Sequence, residues 1–123
     1  MLVKEVKKLN IDIICLSETR LLGQNNLEID GYVLLWSGKE DKHQNGVAVL
    51  ARKELLQGID IHHNVKFVSD RIIQLNLYID GQRTSVLSVY APTNSYDIDD
   101  KLEFYDKLHE LTSDIPRDTR LFI

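Results

Sequence analysis

The sequence has 123 residues, 43% of them hydrophobic and 28% charged, with a net charge of −4 and a pI of about 5.5. That composition fits one small globular domain or a piece of a larger one, and it contains no repeat, linker or low-complexity tract. The acidic balance excludes broad electrostatic attachment to nucleic acid, which needs a basic face, and no apolar run is long enough to span a bilayer.

Leu2, Val3, Val6 and Leu9 recur at near-helical spacing, with Lys4, Glu5, Lys7 and Lys8 between them. This predicts an amphipathic helix whose C-terminal end carries the lysines that its dipole favours. Asn10 ends it. Residues 11–16 form a short β-branched apolar run that reads as a buried strand, stopping at Ser17 with an acid at Glu18. Cys15, the sole cysteine, lies within that run. It reads as a small buried hydrophobe, it allows no disulfide within the chain, and it suits an intracellular setting, nucleus or cytoplasm.

Residues 21–30 read as a polar loop and residues 31–36 as a second strand. A hydrophilic loop follows, with a turn signal at Asn45-Gly46. The run 46–51 is apolar on both faces, which predicts a central strand. Residues 52–56 suggest one helical turn closed by Gly58. Ile59, Ile61, Val65, Phe67 and Val68 suggest a fourth strand that contains His62 and His63. Adjacent strand residues point to opposite faces, so these two histidines are read as structural or surface groups rather than joint metal ligands.

Residues 72–79 and 84–90 flank Asp80-Gly81, the strongest hairpin signal in the chain. Ile73, Leu75, Leu77 and Ile79 share one face of the first of these strands, and Gln74, Asn76 and Tyr78 the other. Pro92 ends the second strand. Asp97, Asp99 and Asp100 offer cap and first-turn acids to a helix carrying Leu102, Tyr105, Leu108 and Leu111, which ends near Ser113. Leu121-Phe122-Ile123 begins another apolar strand.

Glu18 is the best single candidate for chemistry. A carboxylate at the exit of a strand lies where α/β sheets place ligands, although the same decapeptide can also be a solvated turn. Tyr90 and Asn94 follow the exit of the sixth strand. A carboxylate for a hard cation, with a phenol and an amide for phosphate oxygens, makes half of a phosphodiester-cleaving site. No residue supplies the general base. His43, His62, His63 and His109 read as surface or packing groups.

The motifs Ile13-Ile14-Cys15-Leu16-Ser17-Glu18-Thr19-Arg20, Asn45-Gly46-Val47-Ala48-Val49-Leu50, Ser69-Asp70-Arg71-Ile72 and Ser88-Val89-Tyr90-Ala91-Pro92-Thr93 occur in register along the chain. In order and spacing the sequence resembles the endonuclease/exonuclease/phosphatase superfamily, in particular its craniofacial development protein 2-like branch, akin to non-LTR retrotransposon and abasic-site endonucleases. The resemblance implies an α/β fold, part of an α-β-β-α sandwich with mostly mixed or antiparallel sheets, in a single incomplete domain over 1–123.

It also implies magnesium, or manganese in its place, held by Glu18. Tyr90 would hydrogen-bond the scissile phosphate, and nucleic acid would be the partner. Thr93 stands where relatives often carry a phosphate-contacting asparagine, so Thr93 and Asn94 share that assignment. Asn45 lies in a loop that approaches the nucleic-acid backbone in relatives, and on its own residues it is equally an ordinary hairpin loop. By the same resemblance the water-activating aspartate and the site histidine belong to Gly-Asp-x-Asn and Ser-Asp-His motifs that this sequence does not contain. The expectation is therefore a fragment resembling a Mg-dependent phosphodiesterase, most of all an endonuclease, with too little of the site to be active alone; the rival expectation is a non-catalytic nucleic-acid- or protein-binding scaffold.

Overall fold

A computed structural model describes residues 2–93 and 96–123. The chain forms two four-stranded sheets packed face to face, each covered on its outer side by a helix. Helix α1 (Leu2–Lys8) leads into β1 (Ile13–Ser17), followed by β2 (Gln24–Ile29), β3 (Tyr32–Ser37) and β4 (Val47–Arg52). A 3-10 turn at Lys53–Leu56 and a single helical turn, α2 (Ile61–Asn64), lead into the second sheet. That sheet consists of β5 (Val65–Ser69), β6 (Ile72–Ile79), β7 (Gln82–Val89) and β8 (Arg120–Phe122), with α3 (Ile98–Ser113) inserted before β8. Strand order is β1-β4-β3-β2 in one sheet and β5-β6-β7-β8 in the other. All pairings are antiparallel except β7 with β8.

The layers follow from the alternation of side chains along each strand. Leu35, Val47, Val49, Ala51, Ile73, Leu75 and Leu77 fill the space between the sheets. On the outer face of the first sheet, Val3 and Val6 of α1 pack on Tyr32 and Leu50. On the outer face of the second, Phe104 and Leu111 of α3 pack on Ile72. The fold is thus α/β, a partial α-β-β-α sandwich as expected. Strand β4, apolar on both faces, is central in its sheet. No helix is long and apolar enough to cross a membrane among the described residues.

Three expectations are corrected. Residues 21–30 are not wholly loop: 24–29 form β2, an exposed edge strand paired with β3 through the Asp30-Gly31 turn, with φ of 54° and 86°. Such a strand gains its order from main-chain pairing and needs no apolar alternation. Residues 61–64 are helical rather than extended, because the Asp60 side chain accepts the His62 N–H and caps the turn, so His62 and His63 lie on α2 and not in a strand. Finally, β1 pairs only with β4 and is an edge strand with partial burial. Cys15, taken as buried, is exposed as a residue, while its sulfur turns toward Leu87 and Ser88, and burial of that sulfur raises the thiol pKa.

Candidate active site

The exits of β1, β3, β5 and β7 lie at one end of the sandwich, since antiparallel pairing matches Ser17 and Ser37 to Val47, Ser69 to Ile72, and Ile72 to Val89. Two hydroxyls tie the sheets together there. Ser88 donates to the Leu16 carbonyl at 2.9 Å, and Ser37 donates to the Ser69 carbonyl at 2.7 Å. Two residues beyond Leu16 comes Glu18, and two beyond Ser88 comes Tyr90. The tie between Ser88 and the Leu16 carbonyl holds the two strand exits side by side. The Tyr90 hydroxyl donates to Glu18 Oε1 at 2.9 Å.

The backbone under Glu18 is unusual. Glu18 and Arg20 have φ of 53° and 58°, whereas the other described non-glycine residues with positive φ are Asn or Asp. Left-handed backbone at a residue with a long side chain persists only where the surroundings enforce it. Here the Thr19 N–H donates to the Gly46 carbonyl and the Arg20 N–H to the Asn45 carbonyl, at 3.2 and 2.8 Å. Gly46 permits that approach, because a Cβ at that position would lie 2.5 Å from Thr19 Oγ1. The His43 ring meets the Arg20 carbonyl at 2.9 Å and closes the loop from the other side.

Tyr90 is held from behind by Arg71. The Arg71 guanidinium donates to the Tyr90 carbonyl at 3.0 Å, the Tyr90 N–H donates to the Arg71 carbonyl at 2.8 Å, and the guanidinium lies over the Tyr90 ring at 5.1 Å. It also lies 4.8 Å from the Tyr96 ring centroid. The phenol of Tyr90 is raised above its ordinary value of 10.0, first by its hydrogen bond to Glu18, then by partial desolvation and the Glu18 charge, with Arg71 pulling the other way. It is therefore a neutral donor throughout the physiological range.

The sequence-predicted residues divide. Glu18 and Tyr90 meet. Asn45 is near them in the fold, but its amide donates to Asp70 Oδ2 at 2.7 Å, so this N–H group is engaged in joining the β4 entrance to the 69–71 turn. Thr93 is exposed, and its carbonyl accepts from the Tyr96 N–H at 3.1 Å. Asn94 lies outside the described residues. Arg71, Asp70 and Ser88 were given no role from sequence, although two motifs contained them. Their parts depend on partners across the layers, which strand periodicity does not reveal.

Beside the site opens a cleft of about 850 Å3. Arg71, Asn45 and Tyr96 line its inner side, and α3 contributes Asp99, Asp100, Glu103, Asp106 and Glu110.

The Endonuclease/Exonuclease/phosphatase family model matches residues 1–123. The chain belongs to that family. It is 31% identical over 120 residues to Craniofacial development protein 2 from Bos taurus, and equally to the protein of that name from Tragulus javanicus. Each match covers 98% of this chain and 20% of the relative, so the chain spans about one fifth of the length of the curated relatives it matches.

Glu18 is an exposed carboxylate, and Mg2+ characteristically takes one or two carboxylates while retaining water and substrate oxygens. Among the described residues no group of three or more His, Cys, Asp or Glu side chains is arranged to hold a metal unaided.

Proposed function

We propose that this chain carries part of the site of a Mg-dependent phosphodiesterase acting on nucleic acid, in which Glu18 holds the cation and Tyr90 donates to the phosphate. The observation that carries the reading is the 2.9 Å hydrogen bond between Tyr90 and Glu18 across two sheets, at the end where the strand exits gather. Family membership supports the hydrolytic class, and "endonuclease" in the family description supports the nucleic-acid substrate. Manganese satisfies the same donor chemistry.

Each residue has a defined task in this reading. Glu18 is pre-placed by the left-handed backbone of its loop, so no rearrangement is needed to present its oxygens. The cation, when bound, supplies charge to the phosphoryl and leaving oxygens. Tyr90 keeps its proton and, once a cation takes up the Glu18 oxygens, turns that O–H from Glu18 to a phosphate oxygen, while Arg71 restrains its ring and backbone. The described residues place no general base beside this pair. Groups that act as a unit fail together, so the 123-residue chain alone is proposed to be inactive or nearly so.

Two measurements on the purified chain test this. Mg2+ titration followed by NMR should shift resonances of Glu18 and Tyr90 saturably, and Glu18→Ala should abolish the shifts. Plasmid DNA with Mg2+ should remain uncut. Saturable Mg2+ shifts that survive Glu18→Ala would remove Glu18 as the ligand. Nicking lost in Glu18→Ala would retain the site and overturn the proposed inactivity.

A second reading, a non-catalytic nucleic-acid- or protein-binding scaffold, is favoured by the outer edges of β1 and β2, which pair with no further strand among the described residues. Nucleic-acid affinity that needs no Mg2+ and is unchanged by Glu18→Ala would select it.

A further inference from the structure

Asn45-Gly46 is the sole Asn-Gly step in the sequence. In a free peptide such a step is chemically labile, because glycine has no Cβ to hinder attack of its main-chain nitrogen on the preceding side-chain amide. The reaction needs no oxidant or reductant. The Gly46 nitrogen gives its proton to solvent base and bonds to Asn45 Cγ. The Cγ–Nδ2 bond breaks, and Nδ2 takes up a proton and leaves as ammonia. Water then opens the succinimide at one of its two carbonyls, giving aspartate or the chain-lengthened isoaspartate.

The fold ties down both reacting groups. The Gly46 N–H donates to the Asp70 carbonyl at 2.9 Å, and Asn45 Nδ2 donates to Asp70 Oδ2 at 2.7 Å. One residue therefore engages both the nucleophile and the leaving group. The flanking carbonyls are held as well: Asn45 O accepts from the Arg20 N–H at 2.8 Å, and Gly46 O accepts from the Thr19 N–H at 3.2 Å. Gly46 is buried, which keeps solvent base from its N–H.

Ring closure is incompatible with these ties. A succinimide nitrogen carries no hydrogen, so the bond from Gly46 to the Asp70 carbonyl is surrendered. Departure of ammonia takes Nδ2 away from the Asp70 carboxylate. Both bonds are lost on the way to the ring, and each adds to the cost of the local opening that must come first.

We infer that Asn45-Gly46 is a latent deamidation site that Asp70 keeps closed in the folded chain, and that its product unfastens the loop bearing Glu18. Aspartate at position 45 sets a second carboxylate against Asp70 where an amide now donates, and like charges at that distance repel. Isoaspartate adds a main-chain carbon between positions 45 and 46 and displaces the carbonyl that receives the Arg20 N–H. Either product weakens the clamp on residues 18–20. The inference requires neither a cation nor a phosphodiester at the candidate site.

The test follows the whole chain over time at neutral pH by peptide mapping and mass spectrometry, which count amide lost and isoaspartate gained at position 45. The folded chain should react at least about tenfold more slowly than the same chain held in urea. Asp70→Ala, with a cooperative thermal transition confirmed, should react about tenfold faster than the unsubstituted folded chain, whereas Asp70→Asn, which keeps a side-chain acceptor, should stay slow. Asn45→Asp, the product without the wait, should shift the NMR resonances of Glu18 and Tyr90. Adding Asp70→Asn to it should bring them back, since an amide again faces a carboxylate. Equal rates in the folded and urea-held chain, no acceleration in folded Asp70→Ala, or unmoved Glu18 and Tyr90 resonances in Asn45→Asp would each overturn the inference.

Discussion

Glu18 combines a left-handed backbone, an exposed carboxylate and a hydrogen bond from Tyr90, and these features are linked. The left-handed turn follows directly on the end of β1, and the Tyr90 hydroxyl donates to the Glu18 carboxylate there. Because that hydrogen bond is the largest influence on the Tyr90 phenol, Glu18→Gln, which removes the charge, should lower the Tyr90 pKa toward 10.0. NMR titration of the tyrosine rings, with Tyr90→Phe for assignment, would measure it. The sign for stability follows: a phenol whose folded pKa is raised stabilises the fold below pH 10.0 and loses that contribution as pH rises through the folded value. Glu18 and Tyr90 were legible as candidates because each directly follows an apolar strand. The Asn45–Asp70 pair was not, since 25 positions separate them in sequence.

At the scale of elements, the loops after β1 and before β4 interlock, and Gly46 is the point of closest approach. Gly46→Ala would place a Cβ 2.5 Å from Thr19 Oγ1 and 3.2 Å from Arg20 N, at a φ of 96°. Destabilisation of about 2 kcal/mol is expected by urea denaturation. Gly81→Ala, with φ of 75° and nothing within 4 Å, should cost about 1 kcal/mol. The helices and the hairpin at Asp80-Gly81 were readable from period and turn chemistry. Strand β2 was not, because Gln24-Asn25-Asn26-Leu27-Glu28-Ile29 lacks an apolar face and its order comes from pairing with β3. The Asp30-Gly31 dipeptide was the available signal. Likewise α2 depends on one capping bond from Asp60, too local a device for hydrophobic periodicity to register.

Across the whole molecule, the tie between sheets decides the site. Ser88 is 3% exposed and bridges to Leu16, 72 positions away. Ser88→Ala should cost about 1 kcal/mol, read by denaturant midpoint. It should also move the Tyr90 pKa toward its ordinary value, since the β1 and β7 exits lose their clamp, whereas a purely structural role for Ser88 would leave that titration unchanged.

Alone, the sequence determined which segments are apolar and with what period, where Asp-Gly turns the chain, and that an acid and a phenol stand at strand ends. These are local properties, written in neighbouring residues. Only the tertiary structure decided that β1 is an edge strand among the described residues, that Arg71 backs Tyr90, and that Ser88 ties β7 to β1. Each depends on how two sheets and their helices stack, and stacking brings together residues whose sequence separation carries no record of the contact.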